Sequence, residues 1–204
     1  MNFAWMDEAA HARSGAFERA MRVLPSAEIA AKPAYDKAKR TFDLVLGALA
    51  AVVAALPMLA IALAVKLDSP GPALYRQERL GLDGKPFTLL KFRSMRQDAE
   101  RDGPRWAEKY DPRVTRVGRV LRKTRMDELP QLWNILRGEM SFVGPRPERK
   151  YFYAAFEERL PGFSRRMAVK PGLTGWAQVN GYRGDTSITK RIEHDLYYIE
   201  NWTL

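Results

Sequence analysis

The residues best suited to do chemistry fall between Arg122 and Pro147, in the run RKTRMDELPQLWNILRGEMSFVGPRP. An acidic pair, Asp127-Glu128, follows four cations: Arg119, Arg122, Lys123 and Arg125. Downstream, Pro145 and Pro147 fix the backbone on either side of Arg146. A guanidinium held that way offers a planar fork that suits a phosphate. Carboxylates among cations, followed by such a loop, suit phosphate esters and a divalent metal.

The rest of the composition narrows the alternatives. With no cysteine there are no disulfides, thiol nucleophiles or zinc–thiolate sites. The only histidines, His11 and His194, lie far apart, which argues against a Ser-His-Asp or His-rich centre. Any metal is therefore expected on oxygen ligands, which favours Mg²⁺ or Mn²⁺. A net charge of +10 over 204 residues points to anionic partners: nucleic acid, acidic lipid or phosphorylated substrates. The mean hydropathy of −0.38 excludes a polytopic membrane protein.

The elements that must position the site can be read in order. Residues 1–35 mix charges with alanine and read as a loosely ordered or peripheral lead-in, without the apolar core of a signal peptide. Leu44 to Val65 carries no charge and would make about 33 Å of helix, enough to cross a bilayer core. Pro57 interrupts this run, with Leu56 before it, and lysines and arginines flank both ends. Two readings stand: a single span, or a helix that enters, bends at Pro57 and returns with both flanks cytoplasmic. After a Pro/Gly turn at 68–72, two extended segments around Leu82-Asp83-Gly84 predict a hairpin.

Asp111-Pro112 predicts a helix start, with Val114, Val117, Val120 and Leu121 on one face and Arg116, Arg119 and Lys123 on the other. Pro130 places Asp127 at or near the start of a second helix. That helix has Leu129, Leu132, Trp133 and Leu136 as its stripe and Gly138 as its stop. Ser141–Pro147 reads as a rigid turn, Glu148–Leu160 as an aromatic-rich helix stopped at Pro161-Gly162, and Trp176–Val179 as a short strand. The glycines of KPGLTGWAQVNG either admit a ligand or make turns. A last helix starts near Ser187 with Ile188, Ile192, Leu196 and Ile199 inward.

Several long motifs in this order resemble the bacterial sugar transferases that charge a polyprenyl-phosphate carrier, the monotopic phosphoglycosyl transferases. The resemblance runs from about Lys39 to the end. It rests on KRTFD, YRQERLGLDGKPFTLLKFRSM, RMDELPQLWNILRGEMSFVGPRP and KPGLTGWAQVNG. It implies an α+β, mainly helical fold in the family's minimal form: a re-entrant membrane helix over 36–67 broken at Leu56-Pro57, a small hairpin, amphipathic interface helices, and a catalytic domain over 68–204. That domain would lie on the cytoplasmic face of the bacterial inner membrane, among membrane lipids. Many relatives have Ser before the proline, so Leu56 implies a bend that is shallower or otherwise stabilised. Relatives also continue past the Asn-Trp-Thr-Leu end into another amphipathic helix, which implies a shortened chain here.

The resemblance assigns roles as well. Asp127 would be the nucleophile toward a UDP-sugar and the Mg²⁺ ligand, with Glu128 in a metal or acid–base role. UMP would leave, and polyprenyl (undecaprenyl) phosphate would take the phosphosugar. Such covalent catalysis is expected to need an ionised, exposed Asp127. Arg122 and Arg146, the latter between Pro145 and Pro147, would contact phosphate. A homo-oligomer is compatible with all of this, and the sugar and glycan pathway stay open. The rival classes are a membrane-anchored basic nucleic-acid binder and a non-catalytic scaffold. Nucleic acid is not expected, because the acidic pair and the Pro-Arg-Pro loop would then have no role.

Overall fold

The computed structural model describes residues 33–201 apart from 102, 104–109, 161 and 185. Residues 1–32 of the lead-in, the Pro161 stop and the last three residues lie outside the described ones. Helix α1, Pro33–Asp68, continues through Pro57. It is long and apolar enough to cross a membrane, with a mean hydropathy of 2.6 over its most apolar stretch. A helix apolar all round must be covered by protein or by lipid. Here one face is covered by protein. Gly47, Ala50 and Ala54 pack toward Ile135, Leu136 and Leu132, and Met58, Ile61, Ala62 and Val65 toward Val117, Leu121 and Phe92. The other face, from Phe42 through Val45, Leu49, Val52, Leu56, Leu59 and Leu63 to Leu67, is exposed. So long an exposed apolar row marks a lipid or partner contact.

Polar contacts dock both ends of α1 on the same body. Near its start, Arg40 donates to the carbonyls of Ile135 and Leu136 at 2.6 and 2.7 Å, in the last turn of the helix that carries them, where carbonyls lack their usual intrahelical partners. Asp43 is buried and accepts from Ser141 Oγ at 3.1 Å and Phe142 N at 3.0 Å. Near its end, Asp68 accepts from Val117 N at 2.9 Å. The Arg93 guanidinium gathers the carbonyls of Ser69, Pro70 and Pro72 at 2.6–2.7 Å, locking the turn that leaves the helix.

The hairpin forms as expected. Strands β1, Leu74–Leu80, and β2, Pro86–Phe92, pair antiparallel with Leu74 opposite Phe92 and Leu80 opposite Pro86. Its turn takes Asp83 to φ 55° and Gly84 to φ 71°. Helix α2, Arg116–Thr124, starts later than Asp111-Pro112 suggests. The Asp111 carboxylate is engaged by Arg113, through its backbone N at 3.0 Å and its Nε at 2.8 Å, and so forms a local turn. Thr115 is the cap instead, accepting from Gly118 N at 3.0 Å. Val114 therefore lies outside the helix and Val120 is exposed, while Val117 and Leu121 face inward and Arg116, Arg119 and Lys123 outward.

Helix α3, Gln131–Arg137, ends on Gly138 at φ 82°, as expected. Leu132 faces inward with Ile135, but Trp133 is exposed beside Arg137. Two expectations fail at the next segment. Ser141–Val143 is a strand, β3, rather than a turn, and the strand expected at Trp176–Val179 is a helical turn, α5. The partner of β3 is β4, Gly172–Thr174, in parallel register with Ser141 opposite Gly172. Glycine explains this. A Cβ on Gly144 would lie 2.3 Å from Lys170 O, and one on Gly172 2.1 Å from Gly144 N. These glycines admit each other's backbone, not a ligand. Helix α4, Lys150–Arg159, and helix α6, Ile188–Asn201, bury Phe156, Ile188, Ile192, Leu196 and Ile199 with Phe163 in one cluster.

Asp43→Ala would leave the buried Ser141 hydroxyl and the partly buried Phe142 N–H without this acceptor, at a cost of about 1–3 kcal/mol. Thermal unfolding in detergent should register that as a lower Tm, with Asp43→Asn, which keeps an acceptor, losing less.

Candidate active site

Asp127 and Glu128 sit in a single 3₁₀ turn, Met126–Glu128, between α2 and α3. Arg125 reverses the chain there at φ 65°, and Pro130, at φ −61°, carries it into α3. The Pro130 signal thus holds in a modified form: Asp127 lies just ahead of the helix rather than in its first turn.

Glu128 is shared by two cations. Arg146 Nη2 donates to its Oε1 at 2.6 Å and Lys91 Nζ to the same oxygen at 2.8 Å. Burial alone would raise the Glu128 carboxyl, but Arg146 and Lys91 outweigh it and hold it at about 2. Lys91 shares the Glu128 carboxylate with Arg146; burial first, then that guanidinium, push it down to about 8. Asp127 moves the other way. Burial raises its carboxyl, Glu128 adds to the rise, and Lys91, Arg122 and Arg146 oppose it. Contrary to expectation Asp127 is not exposed, at 6 % of its surface, and its Oδ1 has no hydrogen-bond partner.

The turn opens on a cavity of about 900 Å³ that Asp127, Arg122, Lys91 and Arg146 line together. Its volume suits a nucleotide-sized ligand. More than its prolines hold the Pro145–Pro147 loop. Gly172 N donates to Pro145 O at 2.9 Å, Arg166 Nη2 to Arg146 O at 3.0 Å and Arg79 Nη1 to Pro147 O at 3.0 Å. Both prolines are buried and act as support. Behind the loop, Glu148 is buried and pairs with Arg191 at 2.9 Å, Arg79 at 3.8 Å and Arg166 at 3.9 Å.

Of the residues singled out in the sequence, Asp127, Arg122 and Arg146 line the cavity, and Glu128 sits behind its lining, paired with Arg146. Leu56 and Pro57 do not line it; they lie on the exposed face of α1. Sequence reasoning missed Lys91, although a lone cation inside the apolar strand PFTLLKF was a signal. It also missed Arg79, Glu148, Arg166 and Arg191, whose meeting depends on how α6 packs. Among the described residues, no group of three or more His, Asp or Glu could hold a metal. Glu128 is committed to two cations, so Asp127, with its unpartnered oxygen, is the one carboxylate to offer. That fits Mg²⁺, which commonly takes one or two carboxylates and completes its shell with phosphate oxygens and water.

Comparison with known proteins points the same way. The family model for bacterial sugar transferases matches residues 34–204. Over 174 residues the chain is 46% identical to a UDP-N-acetylgalactosamine-undecaprenyl-phosphate N-acetylgalactosaminephosphotransferase of Aeromonas hydrophila, covering 84% of this chain and 41% of that protein. It is 49% identical over 177 residues to a UDP-glucose:undecaprenyl-phosphate glucose-1-phosphate transferase of Caulobacter vibrioides, covering 84% of this chain and 66% of that one. An exopolysaccharide production protein of Rhizobium leguminosarum bv. phaseoli is 45% identical over 174 residues, 81% of this chain and 87% of its own length. The chain thus spans less than half of the Aeromonas relative and about two thirds of the Caulobacter one. The matches run from α1 through the acidic turn and the Pro-Arg-Pro loop to α6, and the chain belongs to the bacterial sugar transferase family.

Proposed function

We propose that this protein transfers a sugar-1-phosphate from a UDP-sugar to polyprenyl phosphate through an aspartyl-phosphosugar on Asp127. One observation carries the proposal: a buried carboxylate with an unpartnered oxygen stands in a cation-lined cavity beside a neighbour fully committed to other groups. An oxygen of Asp127 attacks the phosphorus that bears the sugar. A carboxylate–phosphorus bond forms, and the bond from that phosphorus to the bridging oxygen breaks, its electron pair leaving with UMP. An oxygen of the polyprenyl phosphate then attacks the same phosphorus and returns Asp127 as a free carboxylate. Partial desolvation makes Asp127 a better nucleophile than a solvated carboxylate, and the cations around it offset charge in the transition state. Mg²⁺ or Mn²⁺, held by Asp127 and by phosphate oxygens, would supply further charge neutralisation. Glu128, held at about 2, stays ionised near neutrality and serves to position Arg146 and Lys91 rather than to carry a proton.

The same reading places α1 as a re-entrant helix at the cytoplasmic face of the inner membrane. Support comes from its two docked ends. Arg40 and Asp43 hold one end, and Asp68 and Arg93 the other, to a single body. A straight span would carry those ends to opposite sides of a bilayer. Basic residues on both flanks fit a common cytoplasmic location. The wall that includes Lys66 and Pro72 brings the cavity to the end of α1, within reach of a lipid phosphate.

Asp127→Asn should abolish Mg²⁺-dependent UMP release from UDP-sugars, and EDTA should do the same to the unmodified protein. The Asp127 carboxyl is raised on folding, so its ionised form opposes folding above that raised value and has no such effect below the ordinary Asp range. Asp127→Asn should therefore raise Tm in metal-free buffer near pH 7.5, with the gain shrinking toward pH 4. UMP release by the variant at the normal rate would remove Asp127 from the reaction. The chain has no cysteine, so single cysteines at Lys37 and Lys85 make clean topology probes. Both should react with an impermeant maleimide only from the cytoplasmic side; reaction from opposite sides would establish a straight span.

A further inference from the structure

Buried donors without partners line the cavity at the C-terminal end of β1, the end remote from the exit of α1, and on the loop before α6 and in α6 itself. Arg79 donates through Nη1 to Pro147 O at 3.0 Å and through Nη2 to Gln77 Oε1 at 2.5 Å, which leaves its buried Nε unpaired. Arg191 is 3 % exposed and donates through Nη1 to Glu148 at 2.9 Å and through Nη2 to Gly184 O at 2.7 Å, which leaves its buried Nε unpaired. Arg183, on the loop before α6, has a buried and unpaired Nη2. All three side chains line the cavity that holds Asp127. The carboxylates on this wall are already engaged: Glu148 by Arg79, Arg166 and Arg191, and Glu100 by Arg149 at 2.7 Å. Native interiors rarely leave charged donors unsatisfied, so three on one wall call for an acceptor from outside.

Position selects the acceptor. Arg122 acts on Asp127, and β1 starts beside Lys66 and Pro72 at the end of α1 and runs away from them to Arg79. Arg79 and Glu148 lie in the next rank, behind Arg146, and Arg191 lies behind Glu148. A tetrahedral phosphate offers several acceptor oxygens to converging guanidinium donors. The lipid phosphate has to enter beside α1, which leaves the far wall to the nucleotide.

We infer that Arg79, Arg183 and Arg191 form a subsite for the phosphate of the departing nucleoside monophosphate. The inference rests on the reaction proposed above, and its test reads binding rather than turnover. In the full chain in nanodiscs, titration calorimetry with UMP should find Arg183→Ala about tenfold or more weaker than the unmodified protein. Uridine, which lacks the phosphate, and a short-chain prenyl phosphate should bind both proteins equally. Arg183→Lys keeps the charge without the fork and should fall between, and it stands in if the alanine variant does not fold. Equal UMP affinity in unmodified and variant proteins, no UMP binding at all, or an equal loss of prenyl phosphate would each overturn the subsite. If Arg183-sensitive UMP binding persists while no UDP-sugar releases UMP, the subsite stands and the reaction assigned to the chain fails.

Discussion

The sharing of Glu128 between Arg146 and Lys91 is the contact on which the site depends. It joins three segments far apart in the chain: strand β2, the Met126–Glu128 turn and the Pro-Arg-Pro loop. Removing one partner from a buried charge cluster of this kind typically costs about 3–5 kcal/mol, because the others are left uncompensated. The cluster also keeps Asp127 unpaired. With Lys91 and Arg146 drawn to its neighbour and Arg122 opposing only in part, Asp127 remains raised by burial. An unpartnered carboxylate and one committed to two cations thus sit side by side, and their environments push them apart.

Around this centre, arginine side chains bind backbone carbonyls where helices end and loops turn. Arg40 takes the end of α3, Arg93 the exit of α1, and Arg79 and Arg166 the Pro-Arg-Pro loop. Much of the charge of +10 is therefore internal scaffolding. The cations that line the cavity, Arg122 and Lys91 among them, are a subset of that total. Reading net charge as an inventory of ligand contacts would overcount them.

The packing of α1 ties the membrane to the chemistry. Small residues, Gly47, Ala50 and Ala54, let the helix approach α3 closely, and larger ones near Val65 close against α2. A helix gripped along one face and bare along the other leaves an apolar row for lipid or a partner. The acidic turn follows directly from α2, which packs on α1, so the placement of α1 and the position of the site are set together.

Much of this was legible in order along the chain. The apolar run, the Asp-Gly hairpin, the Gly138 stop and the stripe Ile188-Ile192-Leu196-Ile199 are local patterns, and the structure keeps them because local propensity and burial agree there. The acidic pair and the Pro-Arg-Pro loop were visible for the same reason, since their chemistry lies in adjacent residues. What failed were places where a side chain had competing partners. Asp111 is engaged by Arg113 in a local turn instead of starting α2, and Trp176–Val179 yields its expected strand to Gly172–Thr174, where Gly172 against Gly144 allows backbone against backbone. The state of Asp127 was decided only in three dimensions. Its burial and its unpartnered oxygen depend on Lys91 and Arg146 arriving from distant segments to occupy Glu128, and no spacing along the chain encodes that meeting.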